Sequence, residues 1–350
     1  MGRWRSTIQS GPEGKWLTAR ANCFGVRPGR TWQGRMKAIL AALLTAAALA
    51  LPAHAQDGAA GIAQDYEPDP AIWVLADDDT RIYLLGTIHV LPEGFRWRSE
   101  RLDGIVAEAD ELVVESTEKD LGASSQQLAA MIASVAKRPP VSERLSPGNG
   151  WKWLALGESL GIPPEQFDRV PPIMAIFGIG TTANQQETGS TQAFGVETVL
   201  EADFAAAGKP IRSIENAADI LAALLAMNEA VLIKELDREL SRWNGKDAAA
   251  LLASAPAKGS QPVEALAVEH AWARGAEMDV RDELTGGTAF GSAIGKLLLD
   301  NRNRAWAGWL EERLAEPGTL LVAVGAGHLA GENSLHAMLA KRGLATQRLN

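Results

Sequence analysis

The chain has one cysteine, Cys23, among 350 residues, and only five histidines. Cys23 lies upstream of a segment that we expect to be removed on export, so the mature protein would contain no cysteine and could form no disulfide. Cysteine is thereby excluded as a metal ligand in the mature chain. A metal site there would have to be built from histidine and carboxylate side chains.

Residues 36–55 have the signature of a secretory signal peptide. A basic start is followed by an apolar run over residues 38–51 and by an Ala-x-Ala sequence that ends at Ala55. We predict cleavage near Ala55, a periplasmic or secreted location and no stable membrane insertion afterwards, because the run is short for a spanning helix of about 20 residues. We expect residues 1–35 to be a mis-assigned upstream extension.

The predicted mature chain is strongly acidic. Residues 1–55 contain eight of the 34 Lys and Arg residues but one of the 43 acidic residues, so residues 56–350 hold 26 bases against 42 acids and a formal net charge of −16. This balance argues against nucleic acid or an anionic membrane as a partner. Small polar residues predict a flexible tail over 56–70, and residues 71–350 suffice for a single domain.

The apolar pattern predicts an α/β fold. Two apolar runs flank the acidic turn at 77–80 and indicate an N-terminal β-hairpin. Further strands alternate with helical periodicity, which predicts a mostly parallel sheet flanked by helices, with a helical middle region. The predicted strands are 111–115, 209–215, 319–324 and 345–349, and the clearest predicted helices are 98–109, 196–207, 216–242 and 294–314.

Two of the predicted strands run into a Gly-x-x-His turn. The first reads Leu-Leu-Gly-Thr-Ile-His and ends at His89, and the second reads Val-Ala-Val-Gly-Ala-Gly-His and ends at His328. Both histidines therefore stand at the carboxyl end of a strand, where open α/β sheets bind ligands. Neutral imidazole is the commonest metal ligand. A histidine that merely caps its own turn is the alternative for either motif alone, but the repetition favours one shared site.

Carboxylates near these turns are candidate partners. Glu115 follows the apolar strand Leu-Val-Val and should reach the same sheet edge, although an ordinary strand-end acid is the alternative. Two histidines and a carboxylate form a familiar catalytic metal set that leaves positions open for water. Glu93, four residues after His89, could orient an imidazole or act as general base, or be a solvated loop acid. Glu197 and Glu215 are weaker candidates of the same type.

The last long predicted helix carries a basic candidate. Arg302 and Asn303 lie beside Trp306 and could clamp a substrate carbonyl or carboxylate. A solvated helix face is the alternative. His270 and His336 lie within predicted helices without a motif around them, and we expect them to be packing or surface residues.

Four segments together resemble the TraB/GumN family over about residues 71–349. They are Leu85–Pro92, Leu112–Glu115, Arg302–Trp306 and Val322–Gly331. That family is similar to the Tiki metalloproteases. The resemblance implies an α/β core with His89, Glu115 and His328 at the active site, and Arg302 and Asn303 less directly. It also implies divalent-metal-dependent hydrolysis, with manganese or cobalt as the expected metal and zinc as a further option.

The sequence thus predicts an exported metal-dependent hydrolase acting on a peptide or other small substrate. His89, His328 and Glu115 would hold the metal, and Glu115, Glu93, Arg302 and Asn303 are the candidate catalytic residues. A non-enzymatic periplasmic protein that carries a metal or haem is the main alternative. A scaffold whose histidines only cap turns is a third.

Overall fold

The computed structural model describes residues 62–349, apart from residues 124–128, 132, 135–136, 247–264 and 282–288. The expected upstream extension and the predicted signal peptide lie outside the described residues. Within the described part of the chain, no helix has both the length and the apolar character needed to cross a membrane.

One mixed sheet of six strands forms the core. In chain order the strands are β1 (Ile72–Ala76), β2 (Thr80–Thr87), β3 (Glu111–Val114), β4 (Ile211–Ser213), β5 (Gly318–Gly325) and β6 (Gln347–Leu349). Their order in the sheet is β4-β3-β5-β2-β1-β6. The first four of that order are parallel, whereas β1 pairs antiparallel with β2 and β6. The predicted α/β class, the largely parallel sheet and the N-terminal hairpin are confirmed.

Helices cover both faces of this sheet and fill the middle of the chain. They are α1 (Glu100–Glu108), α2 (Glu118–Ala123), α3 (Val141–Arg144), α4 (Gly150–Ser159), α5 (Pro164–Phe167), α6 (Pro172–Thr188), α7 (Val196–Ala206), α8 (Ala217–Leu225), α9 (Glu229–Arg242), α10 (Ala267–Ala273), α11 (Ala289–Gly295), α12 (Asn301–Arg313) and α13 (Leu335–Ala340). A π-helical turn, Lys296–Asp300, joins α11 to α12. Short 3₁₀ turns span Gln192–Phe194 and Ala326–His328.

The central strand β5 is apolar on both sides because helices pack on both faces. Leu321 and Ala323 face a cluster completed by α1, α7 and α10. Leu320, Val322 and Val324 face a second cluster completed by α12 and α13. Burial on both faces explains why the parallel strands read as continuous apolar runs rather than as alternating patterns.

The helical middle region departs from the sequence prediction in one respect. The periodic stretch 216–242 is two helices rather than one, because the side chain of Asn228 accepts a hydrogen bond from the backbone N–H of Ala230 and begins α9 anew. Asparagine is a strong N-cap residue, since its side-chain oxygen satisfies a free N–H of the first turn. These helices build their own apolar clusters away from the sheet.

Residues 62–70, the described part of the expected tail, lie against α10. The hydroxyl of Tyr66 and Nδ1 of His270 share a hydrogen bond of 2.7 Å. The backbone N–H of Asp69 donates to the carbonyl of Ala273 over 2.8 Å. The chain is thereby tied to the domain before β1 begins.

His336 makes the stability of this fold sensitive to acid. Its ring packs on Trp73 with centroids 4.7 Å apart, Nδ1 lies 2.9 Å from the Thr346 hydroxyl, and burial lowers its pKa to about 4. An unfolded histidine has a pKa of about 6.5. As the pH falls, the unfolded chain therefore binds the proton first. The free energy of unfolding decreases as pH falls from about 6.5 towards 4.

We predict that His336→Phe reduces this loss. A shift of this size corresponds to at most about 3 kcal/mol. Thermal or urea unfolding between pH 8 and pH 4 measures the difference in free energy of unfolding between the wild type and the variant. The difference at pH 8 gives the effect of the substitution on packing, and its change towards pH 4 gives the contribution of His336 protonation. Curves that stay parallel down to pH 4 would contradict the assignment.

Candidate functional site

Four polar side chains follow the carboxyl ends of the four parallel strands. Across the sheet from β4 to β2 they are Glu215, Glu115, His328 and His89, each within three residues of its strand end. Because parallel strands end at one edge, residues far apart in the chain meet there. All four are buried or nearly so; Glu115 is 0 % exposed, His328 1 % and His89 4 %.

The two Gly-x-x-His turns pack directly against each other. A side chain at Gly86 would place its Cβ 3.0 Å from Cα of Ala326, in the second turn. The carbonyl of Gly86 also accepts a 2.8 Å hydrogen bond from the indole N–H of the buried Trp272. The glycine of the first motif therefore favours the close approach of the second.

Arg302 lies in the centre of this edge, between two carboxylates. Its guanidinium bonds Glu115 closely, and it bonds the two oxygens of Glu215 at 2.6 and 2.8 Å. It also stacks on Trp306, 4.7 Å from the ring centroid, while the indole N–H of Trp306 donates to Glu215 over 3.0 Å. Burial alone would lower the pKa of Arg302, but Glu115 and Glu215 outweigh it and raise the pKa.

Glu115 is held by partners on both oxygens. The backbone N–H of Gly325, at the end of β5, donates to Oε1 over 2.8 Å, and Arg302 bonds Oε2. Oε1 also lies 3.8 Å from Nε2 of His328. The neighbouring carboxylate, Glu215, has a raised pKa, because burial and the charge of Glu115 exceed the opposing effect of Arg302.

His328 has its ring orientation fixed by Asn303. Nδ1 lies 2.6 Å from Oδ1 of Asn303, whose Nδ2 donates to the carbonyl of Asn333 over 2.8 Å. The amide oxygen therefore faces the ring, so Nδ1 carries the proton and Nε2 carries the lone pair. Nε2 lies 3.2 Å from Arg302. Burial and the positive charges of Arg302 and His89 hold the pKa of His328 well below its ordinary value.

His89 also donates from Nδ1, but its partner is charged. Nδ1 lies 2.6 Å from Oε1 of Glu197, which also accepts a short hydrogen bond from the Thr87 hydroxyl. Nε2 is buried and has no hydrogen-bond partner among the described residues. Burial lowers the pKa of His89, but Glu197 outweighs it and the net pKa is raised; Glu115 also raises it and Arg302 opposes. Since His89 in turn lowers the pKa of His328, the two imidazoles belong to one charged cluster.

Glu93, Arg302 and Asn303 have contacts that differ from those expected from the sequence. Glu93 is exposed, in the turn that ends at Gly94, and within the described residues it shares no hydrogen bond or ion pair with the cluster. Asn303 and Arg302 hold His328, Glu115 and Glu215 instead of projecting into solvent. No metal-ligand arrangement of three or more His, Cys, Asp or Glu side chains occurs in the described ranges.

Thr87 and the N–H of Gly325 are contacts that the sequence reading missed. Thr87 lies within the first motif, two residues before His89. Because side chains two residues apart in an extended chain lie on the same side, this spacing could have indicated that Thr87 is near the site. The backbone N–H of Gly325 leaves no trace in residue types. Its role follows only from the register that sets Val114 beside Ala323 and so brings Glu115 to the end of β5.

Besides the two Gly-x-x-His motifs, the chain contains the Gly-x-Ser-x-Gly pattern of a nucleophile elbow, at residues 157–161. That motif requires a sharp turn from a strand into a helix. Here the serine is the last residue of α4, and its hydroxyl donates to the carbonyl of Leu156 over 2.7 Å. The geometry of a serine nucleophile is therefore not present at Ser159.

Comparison with known proteins agrees with the motifs. The model of the TraB/PrgY/gumN family matches residues 71–348. Protein YbaP of Escherichia coli (strain K12), described as uncharacterized, is 27 % identical over 270 residues, which cover 77 % of this chain and 92 % of the relative. YbaP of Shigella flexneri matches to the same extent. No solved structure matches. The chain belongs to the TraB/PrgY/gumN family.

Removing the central guanidinium should destabilise the fold strongly. Arg302→Met would leave Glu115 and Glu215 buried without a counter-charge, and breaking a buried pair in this way costs about 3–5 kcal/mol. Arg302→Lys keeps the charge but loses the planar fork, so it should recover part of the loss. Urea unfolding measures both; a loss below about 1 kcal/mol for Arg302→Met would contradict the central role of this residue.

Proposed function

We propose that this member of the TraB/PrgY/gumN family is an exported, metal-dependent hydrolase with peptidase-like chemistry. His89, His328 and Glu115 would hold a divalent cation, with manganese or cobalt preferred and zinc as a further option. The single observation that carries the proposal is the matched orientation of the two imidazoles, whose Nδ1 atoms are both engaged by acceptors.

The donor atoms of these residues are of the types that bind a metal ion, and the side chains would have to draw together to form the site. An acceptor at Nδ1 leaves Nε2 of a neutral ring as a lone-pair donor, which is the arrangement that outer partners impose on metal-bound histidines. Nε2 of His89 is moreover buried without a hydrogen-bond partner in the part of the chain that the structure describes, an unfavourable state that a ligand would relieve. Two imidazoles and one carboxylate oxygen suit manganese, cobalt and zinc.

The charge of the cluster also supports a cation. Three carboxylates, those of Glu115, Glu197 and Glu215, are buried or nearly so, against the permanent positive charge of Arg302 and the proton that the raised pKa favours on His89. Burying unbalanced charge is costly. A divalent cation would offset the excess negative charge.

The residues of the chain have distinct roles in this proposal. A bound divalent ion would supply a water of lowered pKa and would polarise a carbonyl group. Arg302 and the N–H of Gly325 fix the carboxylate of Glu115, whose Oε1, the oxygen nearer His328, would either bind the ion or accept a proton. Asn303 prevents rotation of the His328 ring. Arg302 therefore acts on the carboxylates and not directly on substrate.

Substrate access requires movement, because the cluster is closed to solvent. Val280 covers the second turn: a Cβ at Gly327 would lie 2.4 Å from its Cγ2. The same closure favours the second candidate function, a periplasmic metal or haem carrier, because a carrier can enclose its cargo. Turnover separates the two, since a carrier would bind metal without hydrolysing any substrate.

The test is metal titration of the exported protein after chelation. We expect one Mn²⁺ or Co²⁺ per chain, and a loss of affinity of roughly 100-fold or more in His89→Ala and in His328→Ala, because each removes a ligand. His336→Phe is the matched control and should bind as the wild type does. Metal-dependent cleavage of a peptide mixture, lost in Glu115→Gln, would support the hydrolase, and binding without cleavage would support the carrier. Unchanged affinity in the double histidine variant would overturn both.

Export makes a separate prediction. Cleavage after Ala55 should yield a mature chain that begins at Gln56, because the Ala-x-Ala site is read by signal peptidase. The intact mass of the protein recovered from the periplasmic or extracellular fraction measures this directly. An uncleaved chain that stays in the cytoplasm would contradict it.

A further inference from the structure

We propose that Glu197 is the positioning residue of His89, acting from a segment, Thr191–Glu197, that docks on the first Gly-x-x-His turn. The inference concerns the orientation of the ring and rests on the proposed metal site only for its affinity measurement. It assigns to Glu197 the orienting role that sequence proximity suggested for Glu93.

Backbone hydrogen bonds hold this segment against the turn. Leu91 and Thr191 exchange both of theirs, at 3.2 and 2.9 Å, as an isolated antiparallel bridge. A third bond, of 3.1 Å, runs from the N–H of Val196 to the carbonyl of Ile88. The turn that carries His89 is thus bonded on both sides of the histidine to a segment about 100 residues later in the chain.

Gly195 makes this docking possible. A Cβ at this position would lie 2.0 Å from the carbonyl oxygen of His89, closer than any side chain tolerates. Its φ of −61° is ordinary for any residue, so the requirement is for space and not for an unusual backbone. The absence of a side chain brings the start of α7 into contact with the histidine.

Docking delivers Glu197 to the ring. Glu197 lies in the first turn of α7, where the N–H groups of a helix favour a negative charge. Its Oε1 lies 2.6 Å from Nδ1 of His89 and also accepts a hydrogen bond from the Thr87 hydroxyl. The carboxylate is therefore an acceptor at Nδ1, fixes the proton there and leaves the lone pair of the neutral ring on Nε2.

The two histidines consequently differ in their support. Glu197 gives His89 a charged partner, whereas Asn303 gives His328 a neutral amide. A carboxylate at Nδ1 raises the basicity of a ligating imidazole. His89 is then the stronger of the two donors, and loss of its partner should weaken a bound metal more than loss of an ordinary surface carboxylate.

The experiment compares Glu197→Ala, Glu197→Gln and Thr87→Val with the matched control Glu165→Ala. Glu165 also lies in the first turn of a helix, α5, but is exposed. Heteronuclear NMR of the imidazole nitrogens in the metal-free protein, at a pH above the raised pKa of His89 so that the ring is neutral, reads the His89 tautomer. Titration with Mn²⁺ reads affinity, and thermal unfolding verifies that each variant is folded.

We expect a single Nδ1–H tautomer at His89 in the wild type and in the control. Glu197→Ala should give a mixture of tautomers and a loss of Mn²⁺ affinity of about 10–100-fold. Glu197→Gln keeps an acceptor oxygen and should restore the tautomer while recovering part of the affinity. Thr87→Val, which removes only the hydroxyl donor to Glu197, should have a smaller effect.

The proposal is overturned if folded Glu197→Ala keeps the wild-type tautomer and affinity. Should that variant not fold, unchanged Mn²⁺ affinity in Glu197→Gln overturns it instead. The outcomes for the metal site are separate. A wild type that binds no metal, combined with a tautomer change in Glu197→Ala, would refute the proposed function and leave the positioning role in place.

Discussion

The guanidinium of Arg302 is the interaction on which the rest of the site depends. It bonds the two carboxylates that follow β3 and β4, and it approaches the histidine that follows β5. One side chain of α12 thus joins three strand ends that are consecutive in the sheet. Without it, Glu115 and Glu215 would face each other across a buried edge. The stacking of Trp306 on both Arg302 and His328 fixes the same group from the helix side.

This constraint explains why the two Gly-x-x-His turns are not equivalent. His328 stands beside the guanidinium, which together with burial keeps its pKa low, whereas His89 faces Glu197 and has a raised pKa. Similar sequence motifs therefore sit in different electrostatic surroundings. In the proposed hydrolase, the first turn would contribute the stronger ligand, and the second turn lies beside Glu115.

The sequence predicted the placement of those residues that directly follow a parallel strand. Residues directly after parallel apolar strands must share a sheet edge, so Glu115 and the two motif histidines could be placed together from their positions alone. The choice between Glu93 and Glu197 could not be made in this way. It depends on the packing of α7 against a turn more than 100 residues earlier, made possible by Gly195, whereas spacing along the chain points to Glu93. Arg302 and Asn303 were recognisable as polar residues on a helix, but their partners follow from the tertiary fold. Asn228, which divides one periodic stretch into two helices, was visible in the sequence as an N-cap residue type.

The central claim is that both turns contribute to one metal site. Anomalous X-ray diffraction at the manganese or cobalt edge, from crystals of the metal-loaded protein, tests it most directly. The account predicts one peak within ligand distance, about 2 Å, of Nε2 of His89 and of Nε2 of His328. A peak bonded to only one of these histidines, or located away from this edge of the sheet, would contradict it.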